Sequence, residues 1–246
     1  MKTYFASLVL LVACGGSPLD PGSGDSTGSG TATLVVNGSA TARPQVPAAA
    51  APSEFQTSFD VRITLANAEV TTGTVTITSA TGKVPLAFNA NGQNNGSWQG
   101  DAPNYDEVYQ LDVVSGTDTV SGVRVDGPDI HTFSAPLAGA SVDSTMAMPL
   151  AWTRNDTADA ATLRVGDGGG GGGGGGGTGL TIVDTGTYSV APGTLHSNKD
   201  QATTNTLRLT RTNRVTPTGA AGGSELSVSV ENDIDVVALP NPAALR

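Results

Sequence analysis

The run Phe59-Asp60-Val61-Arg62-Ile63-Thr64-Leu65 alternates apolar and polar side chains without a fault. A period of two is the signature of an extended strand with one face buried and the other in water. The same alternation returns at Val75 and Ile77, at Tyr109, Leu111 and Val113, at Val123 and Val125, at Leu207 and Leu209, and at Leu226, Val228 and Val230. Threonine and valine fill these segments, as suits a pleated, half-buried surface. No stretch carries the 3.6-residue period of an amphipathic helix. Ala48–Ala51 lies between Pro47 and Pro52 and reads as an extended loop. The expectation is an all-β protein.

Strand-sized segments separated by turn residues recur along the chain, which is the pattern of β-sandwiches. They fall into a set from Thr31 to Phe133 and a set from Pro149 to Leu239, with the small, weakly patterned stretch Pro136–Asp143 between them. This predicts two tandem sandwiches, residues 31–135 and 136–246. Each is large enough to bury one apolar layer between its sheets without a metal or a disulfide. Ten consecutive glycines, Gly168–Gly177, interrupt the second. A phosphate-cradling loop would need a Lys-Ser/Thr end and a following helix. Here Thr178-Gly179-Leu180 leads to another strand, so the run reads as an overlong hairpin connection. Doubling a loop costs only about 0.6 kcal/mol in closure entropy, so such a connection is tolerated.

The amino end is built differently. Lys2 precedes an apolar stretch from Tyr4 to Val12, too short to span a bilayer as a helix but of the right length for an export signal. It ends in Leu11-Val12-Ala13-Cys14, and Cys14 is the sole cysteine of the chain. This string resembles the lipobox of exported bacterial lipoproteins. The resemblance implies a signal peptide over residues 1–13, a diacylglyceryl group on the Cys14 thiol, and a mature chain starting there. The single cysteine excludes intramolecular disulfides. Residues 14–30, almost wholly Gly, Ser, Pro, Thr and Asp after the cysteine, cannot bury apolar surface and read as a flexible tether. Its typical span is roughly 20–25 Å. Gly15 after the cysteine is similar to the enterobacterial signal for outer-membrane sorting. A lipid-anchored protein of the cell envelope, at the outer membrane, is therefore expected, with the membrane as partner through the N-terminal lipid.

Acidic residues outnumber basic ones by 22 to 12, for a net charge of −10. No basic patch is available to neutralise phosphates, which excludes nucleic acid as a partner. The same charge repels an anionic lipid surface and leaves the lipid as the attachment.

Two strand signatures suggest a family. Tyr109-Gln110-Leu111-Asp112-Val113 resembles the penultimate strand of immunoglobulin-like and fibronectin type III modules, where a tyrosine packs inward and turns its hydroxyl to nearby backbone. With Gly73–Ile77, Gly96-Ser97-Trp98 and Asp118-Thr119-Val120 it is also similar to carboxypeptidase regulatory-like modules. In the second half, Leu150-Ala151-Trp152 and Leu163-Arg164-Val165 resemble the early hairpin of a fibronectin type III domain. Asp184–Val190 then stands as a middle strand and Leu207–Arg211 as the next, with Leu207 where a tyrosine is usual. The resemblance implies sandwich folds with Trp98 and Trp152 in or beside the cores. It carries no function by itself.

Several chemical motifs dissolve on inspection. Gly24-Asp25-Ser26-Thr27-Gly28 matches the serine-hydrolase string, but that chemistry needs a strand-to-helix elbow and a histidine base. His131 and His196, one in each half and without a second cysteine, do not make a zinc site, and a surface or junction position is expected for both. The sequons at Asn37, Asn95 and Asn155 have no glycosylation role expected in a bacterial lipoprotein. No cofactor is expected. Calcium is the one ion for which ligands stand out: Asp126 and Asp129 before the junction, Asp233 and Asp235 on one strand face, and a third acidic turn at Asn155, Asp156 and Asp159. Such a site takes six to eight oxygens from several loops. The function expected is a non-catalytic binding, adhesion or scaffold module facing a protein or glycan. The alternative is an exported, glycan-directed hydrolase using acidic residues. Several carboxylates gathered in one concave pocket would favour the hydrolase.

Overall fold

The computed structural model of the protein describes residue 19 and residues 24–91, 96–167 and 179–241. These residues are all-β, and the one helical piece among them is a 3₁₀ turn at Pro52–Glu54. The strands are β1 (Ser26–Gly30), β2 (Leu34–Pro44), β3 (Phe55–Leu65), β4 (Ala68–Glu69), β5 (Thr74–Ser79), β6 (Gly82–Asn89), β7 (Ser97–Ala102), β8 (Val108–Ser115) and β9 (Asp118–Asp126). They continue as β10 (Phe133–Ala135), β11 (Ser141–Val142), β12 (Met148–Trp152), β13 (Ala160–Asp167), β14 (Leu180–Ile182), β15 (Thr187–Val190), β16 (Thr203–Val215) and β17 (Glu225–Ala238).

One continuous hydrogen-bonded path runs β1-β9-β8-β5-β6-β7-β3-β2-β17-β16-β13-β14, and a separate small sheet runs β10-β12-β15. The path folds back on itself at β6. Residues 82–86 pair with β5, whereas Ala87–Asn89 pair with β7, so the strand leaves one layer and joins the facing one. The alternation read from the sequence now has a physical destination. Val75, Ile77, Leu111, Val113, Val123 and Val125 on one layer meet Val36, Phe59, Val61, Ile63 and Trp98 on the other, in one buried cluster. Met148, Leu150 and Trp152 of the small sheet meet Leu163, Leu207, Leu209, Ile234 and Val236 in a second. The strand order repeats. β9-β8-β5-β6 faces β7-β3-β2 in the first assembly, and β17-β16-β13-β14 faces β15-β12-β10 in the second.

The two assemblies share their longest strands. Residues 225–230 of β17 pair in parallel with β2 and bury Leu226, Val228 and Val230 in the first cluster. Farther along the same strand, Ile234, Val236 and Ala238 are buried in the second. β16 accompanies β17 over the full length, from Thr203↔Ala238 to Val215↔Leu226. The hairpin therefore has its base in one core and its tip in the other.

Near the amino end the structure departs from the expected tether. Ser26–Gly30 contains no apolar side chain, yet it forms β1, antiparallel to β9 in the register Ser26↔Arg124 to Gly30↔Val120. Backbone pairing and close glycine packing hold it, which is why hydrophobic patterning does not reveal it.

Candidate functional site

A buried gathering of polar groups lies where β9 leaves the first assembly and the chain crosses to the second. Its floor is Arg211 of β16, fully buried in phase with Leu207 and Leu209. The guanidinium donates from Nε to Asp184 Oδ2 at 3.0 Å, and Nη2 lies at ion-pair distance, 3.0 Å, from the same oxygen. Nη1 donates to the Asp129 carbonyl at 2.9 Å, and Nη2 also donates to the Asp156 carbonyl. Asp184 accepts two more bonds, from the Trp152 indole at 3.0 Å and the Ala158 amide at 2.8 Å. Burial pushes the Asp184 carboxyl up, but these donors and the Arg211 charge together hold it below the usual carboxylate range. One buried ion pair thus fixes the backbone at Asp129, the turn at 156–158 and the indole of Trp152.

Above this floor opens a cavity of about 340 Å³ whose lining includes Asp25, Glu107, Asp126, Asp129, Asp156 and Asn213. Asp129 Oδ2 accepts the amides of Asn155 and Asp156 at 2.7 and 3.1 Å. Asp25 Oδ1 accepts the Asp126 amide at 2.8 Å, and Asn213 Nδ2 donates to the Asp126 carbonyl at 2.8 Å. Burial, then the charges of Asp129, Asp126 and Asp156, raises the Glu107 carboxyl above its ordinary value. Asp126 is raised by burial and by Asp25, Asp129 and Asp156, with Arg124 offsetting part of the effect. These are mutually repelling carboxylates held together by backbone bonds, and the fold does work against that repulsion.

Of the acidic residues singled out in the sequence, Asp126, Asp129 and Asp156 meet at this cavity. Asp159 is turned to neighbouring backbone, accepting the Arg214 amide at 2.8 Å. Asp233 and Asp235 are not brought to it. They lie on the outer face of the long hairpin, where Asp233 pairs with Arg208 at 3.1 Å and Asp235 accepts from Thr206 Oγ1 at 2.6 Å. Among the described residues no group of three His, Cys, Asp or Glu side chains is arranged to hold a metal ion. Asp25 and Glu107 were not expected at the site; they arrive through β1 and the turn before β8, and only the three-dimensional path places them there.

Trp98 is buried and donates to the Val70 carbonyl at 3.0 Å, and Trp152 is buried as above, so neither ring is a platform for sugars. The Tyr109 hydroxyl accepts the Asp106 amide at 2.8 Å and lies 3.1 Å from Thr57 Oγ1, the inward-turned arrangement expected for that strand. Ser26 sits on β1 and not on an elbow. His196 is exposed, but His131 is not on the surface: it is fully buried. Neither of its ring nitrogens makes a hydrogen bond of ordinary geometry, although Leu209 backbone stands near. Cys14, Leu11, Val12, Ala13 and the glycine run 168–177 lie outside the described residues. Compared with known proteins, the chain matches no family model and no curated sequence.

Proposed function

We propose that the protein is a lipid-anchored, non-catalytic module of a bacterial cell envelope, tethered through Cys14 at the outer membrane and presenting its β body to a protein or glycan. We read that body as a pair of immunoglobulin-like or fibronectin type III-like sandwiches. The repeated strand order, with three strands facing four, supports this reading. The observation that carries the non-catalytic reading is how the reactive side chains are spent. Arg211, Asp184, Trp152 and Asp129 hold loops and strands together, and His131 is sealed in the interior. Such groups build a rigid display surface. The expected outcome of Cys14→Ser is transfer of the protein from the membrane to the soluble fraction of expressing cells, with folding unchanged. Retention of the variant in detergent-extracted membranes would remove the anchor from the account. Protease shaving of intact cells then reports which side of the outer membrane the body faces.

A second reading is favoured by one specific observation, the five carboxylates around a single cavity. A glycan-directed hydrolase uses one carboxyl kept protonated and one kept ionised, and Glu107 is displaced in the direction a general acid requires. Release of reducing ends from envelope polysaccharide, abolished by Glu107→Gln, would establish this reading over the first.

A further inference from the structure

We infer that Gly24–Gly30 is a peelable strap, a segment of the tether that docks onto the body and sets where the tether leaves it. Its biological use rests on the anchored reading above; its geometry does not. Four register pairs join β1 to β9. On its other side the strap meets the tip of the long hairpin: the Thr218 amide donates to the Thr27 carbonyl at 2.9 Å, and Ala32 just beyond the strap donates to the Gly219 carbonyl at 3.0 Å. Arg124 Nε donates to the Gly24 carbonyl at 2.7 Å at the outer end.

The composition that resembled a linker is what allows this docking. A Cβ on Gly30 would overlap the carbonyl oxygens of Thr119 and Gly219, and one on Gly219 would overlap the carbonyl group of Ser29. Gly28 adopts φ +69°, and its Cβ would stand 2.5 Å from the Ser121 carbonyl oxygen. Three backbones approach so closely that only hydrogen fits between them. No apolar side chain adds to the hold. At the outer end Asp25 enters the acidic cavity, so its amide acceptor role is opposed by the charge of Asp126 and its neighbours. A strap held by hydrogen bonds without apolar burial of its own, and repelled at its outer end, opens at that end first. Released, the strap adds seven residues to the tether, about 20–25 Å of reach when extended.

Hydrogen exchange on the full chain in detergent micelles tests this. Ser26–Gly30 is expected to exchange roughly a hundred-fold more slowly than an unstructured peptide. Gly219→Ala places a methyl against Ser29 while its own backbone needs no left-handed conformation. It is expected to return Ser26–Gly30 to the unstructured rate while β3 and β8 stay protected. Arg124→Ala removes the outer bond without touching the cores and is expected to speed strap exchange several-fold, whereas Asp126→Asn, which relieves the repulsion, is expected to slow it. Unprotected Ser26–Gly30 in the unmodified chain, or strap protection unchanged in Arg124→Ala, overturns the proposal. Each readout is independent of acylation, so failure of the Cys14 test leaves this result standing.

Discussion

Arg211 and Asp184 are the residues on which the centre of the molecule turns, because both are buried and each compensates the other's charge. Removing one partner strands the other in the interior. Asp184→Ala is expected to cost about 3–5 kcal/mol in urea unfolding, and the Trp152 indole would lose its acceptor as well. His131 supplies the pH dependence. Burial first, and the Arg211 charge second, push its imidazole down to about 3 from an ordinary value of 6.5. The unfolded chain takes up this proton as pH falls through the ordinary value, while the folded chain refuses it until about 3, so stability is lost across that window. His131→Leu is expected to flatten the fall in melting temperature between about pH 6.5 and 4, measured by circular dichroism. The sequence held a signal for part of this. Arg211 continues the inward phase of Leu207 and Leu209, and Asn232 interrupts that of Val230 and Ile234, so strict alternation marks both as buried polar groups. His131 and Asp184 lie outside long strands, where no phase exists to read.

At the scale of the element, the strands that alternate are the strands that form. β3, β5, β8, β9, β16 and β17 bury the residues their period assigns. β1 was illegible because a strand fixed by glycine contacts leaves no hydrophobic trace. The acidic cavity was half legible: Asp126, Asp129 and Asp156 stood out in turns, but their meeting with Asp25 and Glu107 depends on four separate segments converging. That convergence is a load on folding. Glu107 has a folded pKa above its ordinary value, so its contribution to stability is full at low pH and is lost as pH rises through that folded value. Glu107→Gln is therefore expected to raise the melting temperature at neutral pH, with the gain shrinking in acid and in high salt. An unchanged melting temperature at low ionic strength would mean that the carboxylates relax apart.

For the whole molecule, the long hairpin joins what the alternation alone presents as separate halves. Cutting strand pairing at one end of β17 is felt at the other, because Val228 and Ile234 belong to different cores on one strand. Fluorescence of Trp98 and Trp152, each followed with the other replaced by phenylalanine, is expected to report coincident thermal unfolding. Two transitions separated by several degrees would mean that the halves melt independently. The hairpin also changes what the molecule offers its neighbours. β2 would otherwise present eleven residues of open backbone, and β17 seals more than half of that edge from within. The ends of the two sheets are short: β14 and β10 have three residues each, β15 four and β1 five. Copies crowded side by side would find little backbone to zip onto, so even a dense gathering of them would stay a population of individuals and would not knit into fibrils.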